Sequence, residues 1–175
     1  MSDLETIIQA ITPPRADATH RARERQSRLT KPPGSLGQLE ALSIQLAGIT
    51  GMLNPPLSKK HVVVMAGDHG VTVEGVSAFP ADVTPQMIYN FLNGGAAINV
   101  LARQIGATVT VVDMGVAAPI ATTHPNFMDR KIAPATQNIA AGPAMTPKQA
   151  RQAVETGIEV VDRLAQTVGL NLLIT

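Results

Sequence analysis

The stretch His61-Val62-Val63-Val64-Met65-Ala66-Gly67-Asp68-His69-Gly70 decides the fold. Its first six residues form a short, continuous, largely β-branched run with no polar alternation, the pattern of a strand buried on both faces. Strands of that kind belong to parallel sheets covered by helices. The run passes directly into Gly67-Asp68-His69-Gly70, a polar turn at the strand's carboxyl end, where open α/β sheets hold their ligands. Glycines there let backbone approach a ligand, while Asp68 and His69 offer an acceptor and a titratable ring.

The neighbouring segments fit that frame. Thr84-Pro85 reads as a helix start with proline at the first helical position, and Asn93-Gly94-Gly95 as a break before a helix over 96–104. Thr108-Val109-Thr110-Val111-Val112 is a second strand, ending in Asp113-Met114-Gly115. Residues 117–145 form a polar, proline-rich excursion with little periodicity. Thr146-Pro147-Lys148-Gln149 opens a long helix, and Leu170 to Thr175 is a third apolar strand. Strand, helix, strand, excursion, helix, strand predicts an open, mostly parallel α/β sheet with flanking helices.

Upstream the signals are helical. Ser2 and Glu5 have capping-box spacing, and Pro13-Pro14 ends that segment. A second helix runs from Asp17 to about Leu29 with Arg21, Arg23, Arg25 and Arg28. Glu24 interrupts the run, so a solvated face competes with a nucleic-acid or phosphate patch. Ser35 and Gln38 supply a further capping box for a helix ending near Gly48. Residues 1–55 are therefore expected to form a helical lobe, and 56–175 an α/β domain.

The chain's 175 residues are enough for one domain with its own core. Hydrophobic residues make up 45% and charged residues 15%, which excludes a disordered chain. A formal net charge of +1 and 2% aromatics argue against nucleic acid, and no apolar run is long enough to span a membrane. A cytoplasmic location is the expectation. Cysteine is absent and the four histidines are scattered, so no metal or cofactor is expected. Neither a G-x-G-x-x-G nor a P-loop pattern follows a strand. At Asp68 and His69 two readings stand: a ligand contact or acid/base pair, or an Asp68 that accepts loop N–H groups beside a buried His69. Asp113 either contacts a ligand or orders its turn. Asn93-Gly94-Gly95 either cradles a phosphate or only kinks the chain.

Lys31-Pro32-Pro33-Gly34-Ser35-Leu36-Gly37-Gln38-Leu39-Glu40 resembles the K-P-x-G-S-L-G-x-L-E signature of the nicotinate-nucleotide–dimethylbenzimidazole phosphoribosyltransferases. The resemblance continues in Met65-Ala66-Gly67-Asp68-His69-Gly70-Val71, Gly75 to Pro80 and Val83 to Met87. It runs on through Asn93 to Ala102, Val112 to Val116 and Asn138-Ile139. It implies transfer of phosphoribose from nicotinate mononucleotide to dimethylbenzimidazole with inversion, giving α-ribazole phosphate and nicotinate for the lower ligand of cobalamin. It also implies a homodimer at full length. In that family the segment matching Ser77 to Met87 helps line the dimethylbenzimidazole slot. Phe79 and Met87 are thus candidate walls, with Gln86 a polar neighbour; as pure core residues they would serve packing alone.

Family members are longer, with a G-E-x-G-x-x-N-T-T phosphate motif beyond the strand matching Leu170 to Thr175 and a general-base glutamate near the C-terminus. The expectation is that this chain is the N-terminal part of such an enzyme, its α/β domain incomplete, with no catalytic residue of its own. A non-catalytic module that binds a heteroaromatic base or nucleotide, or an interaction subunit, is the alternative; a stop codon directly after Thr175 would favour it. The 175-residue chain alone is therefore expected to form no α-ribazole phosphate. Turnover of nicotinate mononucleotide with dimethylbenzimidazole well above a control without protein would contradict this.

Overall fold

A computed structural model of the chain describes residues 4–175. Ser2, half of the first expected capping box, lies outside the described residues. The chain divides into two compact units, one up to Leu57 and the other Ser58–Thr175.

The first unit holds three helices, α1 (Leu4–Ala10), α2 (Ala16–Arg28) and α3 (Gln38–Thr50). Small residues let α2 and α3 approach closely: Ala18 and Ala22 are buried on one, Ala47 and Gly48 on the other. A Cβ on Gly48 would sit 2.6 Å from Thr19 Oγ1, so helix packing requires glycine there. Gly48 is accordingly interior to α3 rather than its end. The helix stops at Gly51, which adopts φ 73° and donates its N–H to the Ala47 carbonyl. The Ser35 cap also differs from expectation. Gly37 is the N-cap residue, and Gly34 and Gly37 at positive φ carry Ser35 a turn away from the helix. Glu40 closes this loop instead: its Oε1 accepts from Lys31 Nζ at 2.6 Å and from the Leu36 N–H at 3.2 Å. The Lys31 hydrogen bond holds the Glu40 carboxyl below its usual range. The arginine run is a solvated, ion-paired face, with Arg21 on Asp17 at 3.3 Å and Arg25 donating to Asn54.

The second unit is a four-stranded sheet of β1 (Lys60–Gly67), β2 (Ala107–Gly115), β3 (Phe127–Asp129) and β4 (Leu172–Ile174). Its order is β3-β2-β1-β4 and all three pairings are parallel. Helices α4 (Val83–Leu92) and α5 (Ala97–Gln104) connect β1 to β2, and α6 (Pro147–Val168) precedes β4. Both sheet faces are covered. On one, Val63 and Val112 pack against Val160 and Leu164 of α6; on the other, Val111 and Val116 pack against Ile88 of α4. That is why the valine run is continuous. Each fully buried valine contributes roughly 1.5–3 kcal/mol. The third strand of the sheet, β3, lies inside the segment that reads as an excursion, because three residues carry no periodicity of their own. Thr146 caps α6 as expected, accepting the Gln149 N–H while Gln149 Oε1 accepts from Thr146 N–H.

One buried polar pair sits among these valines: His61 Nε2 and Thr110 Oγ1 share a 2.8 Å hydrogen bond. Burial of the His61 ring disfavours its charged form and lowers its pKa from 6.5. The unfolded chain therefore takes up a proton before the folded one does. Stability is fully present above about pH 6.5 and declines as the pH falls below it toward the folded-state pKa. Thermal melts at pH 7.5 and pH 5.5 should show a drop that shrinks in His61→Gln. An equal drop in both proteins would place the titration elsewhere.

Candidate functional site

The site is built at the carboxyl end of β1. Strand register slips between Ala66 and Gly67, so that Gly67 pairs with Gly115 rather than with Met114. Asp68 follows, 8% exposed, and every polar group it has is engaged. Its N–H donates to the Gly115 carbonyl and its carbonyl accepts the Thr136 N–H, both at 3.0 Å. Its Oδ1 accepts from Thr84 Oγ1 at 2.6 Å and its Oδ2 from the Ala117 N–H at 2.8 Å. One carboxylate thus ties the first turn of α4 to the turn after β2. Thr84 is not a cap and Pro85 is the third helical residue rather than the first, since Asp82 precedes Val83 at the start of α4; the Thr84 hydroxyl serves Asp68 instead. A carboxylate beside a helix N-terminus is also favoured by the helix dipole.

His69 is exposed, contrary to the reading that buries it, and pairs as an isolated bridge with Thr136. Its Nδ1 lies 3.5 Å from Thr136 Oγ1. Gly70 donates to the Thr136 carbonyl at 3.1 Å. A Cβ on Gly70 would lie 2.6 Å from the Gln137 carbonyl carbon, so only glycine lets segment 136–138 close over the strand end. Asn138 fastens that segment by donating to Glu74 Oε1 at 2.6 Å. Asp113 orders its own turn: its Oδ1 accepts the Gly115 and Val116 N–H groups at 3.1 and 2.9 Å.

Two clefts flank this strand end and share Gly67, Asp68 and His69. The first, about 350 Å³, is bounded by Phe79, Met87, Thr84 and Phe91. Asp68, His69, Phe79 and Met87 therefore meet around one space, within the size range of small-molecule sites. Gln86, on the same helix, is exposed and lies outside its lining. Phe79 is 69% exposed and takes no part in the core. Its backbone is nonetheless fixed, since Ser77 Oγ accepts the Phe79 N–H and donates to the Phe79 carbonyl. A solvent-facing aromatic ring beside a cleft is suited to hold a planar apolar ligand.

The second cleft, about 280 Å³, is lined mainly by apolar groups including Met114, Ile132, Pro134 and Met145. Its wall includes Ala135 at φ 62°, a left-handed conformation rare outside glycine. The strand-end residues Gly67, Asp68, His69, Met114 and Gly115 point to this cleft, but most of its lining comes from the aperiodic segment 132–145, which carries no such signal. The glycine pair at 94–95 separates α4 from α5, its N–H groups donating to the Phe91 and Asn90 carbonyls, and the Ala96 N–H is taken by Asn99 Oδ1 at 3.2 Å. Among the described residues, no three His, Asp or Glu side chains converge as a metal site, and no helix is long and apolar enough to cross a membrane.

With this geometry in view, the comparisons with known proteins are specific. Residues 11–175 match the model of a phosphoribosyltransferase family. A nicotinate-nucleotide–dimethylbenzimidazole phosphoribosyltransferase of Chloroflexus aggregans is 54% identical over 175 residues, covering 100% of this chain and 49% of that protein. One from Roseiflexus sp. (strain RS-1) is 53% identical with the same coverage. The crystal structure of a protein of that name from Thermus thermophilus superposes with TM-score 0.83 at 46% identity. It is matched by 91% of this chain over 48% of its own length. The chain spans about half the length of the curated relatives it matches.

Replacing Asp68 tests the strand-end geometry. Asp68→Ala strands the Ala117 N–H and the Thr84 hydroxyl and should lower stability by ~1–3 kcal/mol in denaturant melts. A difference below ~0.5 kcal/mol would show that this carboxylate holds nothing in place.

Proposed function

The chain belongs to the phosphoribosyltransferase family whose curated members are nicotinate-nucleotide–dimethylbenzimidazole enzymes, and from that membership we propose that it serves the transfer of phosphoribose from nicotinate mononucleotide to dimethylbenzimidazole. The products are α-ribazole phosphate and nicotinate, the former destined for the lower ligand of cobalamin. In this reaction a ring nitrogen of the benzimidazole forms a bond to the anomeric carbon while the bond from that carbon to the nicotinate nitrogen breaks. The proton of the incoming ring must leave to a base, a role we assign to no residue of this chain.

The part given to this chain is the seat of the incoming base. The observation that carries the reading is the exposed, backbone-anchored Phe79 facing the same cleft as Met87, Asp68 and His69. A flat apolar ring gains most from stacking on another flat ring, and a thioether adapts to its edge. Asp68 keeps the cleft's shape, its two oxygens holding Thr84 and the Ala117 N–H in place. His69, exposed at the rim, is the polar group free to meet a ring nitrogen or the sugar. Gln86 takes a supporting place outside the cleft. Holding the nucleophilic nitrogen in a fixed direction is itself catalytic, because it removes orientational freedom before the bond forms. We place this activity in the cytoplasm and in a homodimer at the relatives' full length, on the strength of the resemblance alone.

Dimethylbenzimidazole titrated into the chain should bind, and Phe79→Ala should weaken it roughly 5- to 150-fold, the equivalent of ~1–3 kcal/mol per stacked ring. Affinity for nicotinate mononucleotide should stay nearly unchanged. No binding by the wild type, equal weakening of both ligands, or a collapsed melting temperature in Phe79→Ala would overturn the assignment.

A further inference from the structure

Lys131 is the one cation in this half of the molecule whose ammonium is enclosed by three acceptors among the described contacts. Its Nζ donates to the Val116 carbonyl at 2.6 Å and the Ala118 carbonyl at 2.9 Å, and lies 3.2 Å from Asp113 Oδ2. Three acceptors match the three protons of an ammonium. The Asp113 side chain is 1% exposed and that of Lys131 is 23% exposed, so the pair is withdrawn from water and loosely substituted surface lysines are no guide to it.

The backbone delivers Lys131 to that place. Arg130 and Ile132 donate their N–H groups to the Asp113 and Met114 carbonyls at 2.9 and 3.0 Å, prolonging the β3 pairing along the end of β2. The turn 115–118 is thereby gripped from both sides. Asp113 Oδ1 holds its N–H groups at Gly115 and Val116, and Lys131 holds its carbonyls at Val116 and Ala118. Between those anchors lies Ala117, whose N–H is donated to Asp68 Oδ2 at 2.8 Å. The other oxygen of Asp68 holds Thr84 at the start of α4, the helix that carries Met87 into the first cleft.

We infer that Lys131 is a positioning residue for the base-binding cleft, acting through the turn 115–118 and Asp68 rather than by touching a ligand. This rests on the reading of that cleft as the dimethylbenzimidazole seat. Removing the ammonium leaves Asp113 as a buried unpaired charge and frees two carbonyls, so the turn relaxes and the Ala117 N–H no longer fixes Asp68. Lysine suits the place because its three protons diverge tetrahedrally from one atom, whereas a guanidinium spreads its protons in a plane.

The test has two readouts. In Lys131→Met, the Ala117 amide should exchange with deuterium at least roughly tenfold faster relative to the central amides of β1. Dimethylbenzimidazole should bind roughly 2- to 30-fold more weakly. The double variant Lys131→Met/Asp68→Ala should bind it within about twofold of Asp68→Ala alone, since both act on one path. An unchanged Ala117 exchange rate, or losses that multiply in the double variant, would overturn the inference. If wild type binds no dimethylbenzimidazole, the functional reading falls, and with it the role in binding, whatever the Ala117 amide does. Should Lys131→Met not fold, Lys131→Arg keeps the charge and is read in the same two assays, with the same direction expected.

Discussion

The Asp68 carboxylate is the constraint on which the strand end depends. A parallel sheet leaves the carboxyl ends of its strands to be finished by loops, and each loop brings backbone groups that need partners. Here one side chain, at the point where β1 slips its register against β2, accepts a hydroxyl from the start of α4 and an amide from the turn after β2. Its own backbone holds Gly115 and Thr136. Four segments distant in sequence meet at one buried residue, and two clefts open on either side of it.

Rigidity beneath and exposure above define the candidate site. Gly70 admits the 136–138 segment at a distance no larger residue allows, and Asn138 fastens it to Glu74. On the other side Ser77 fixes the backbone of Phe79 while its ring stays in solvent. The family's curated relatives, about twice as long as this chain, carry the name of a reaction that joins a planar base to a sugar.

Much of this was legible in the residues. The continuous run from Val62 to Val64 announces a strand buried on both faces, and α6 on one side and α4 on the other supply the cover. Thr146 and Gln149 announce a capped helix and form one. Other features are invisible to local pattern. The strand β3 exists only because β2 offers an edge to three residues, and Lys131 looks like any polar-loop lysine until the chain folds it against Asp113. Ser35 has capping spacing yet does not cap, because two glycines at positive φ turn the chain before the helix begins. Phe79 and Met87 stood out through resemblance, whereas Thr84 as the partner of Asp68 required the tertiary fold.

In the proposed seat a planar base lies against Phe79, in the cleft between the end of β1 and α4. The most direct measurement is a set of nuclear Overhauser contacts between the methyl groups of bound dimethylbenzimidazole and the side chains of the isotope-labelled chain. Contacts to the Phe79 ring and the Met87 methyl, with none to Ile132 or Met145, are the predicted result. Contacts to Ile132 and Met145 with Phe79 silent would place the base in the second cleft and overturn the Phe79 assignment.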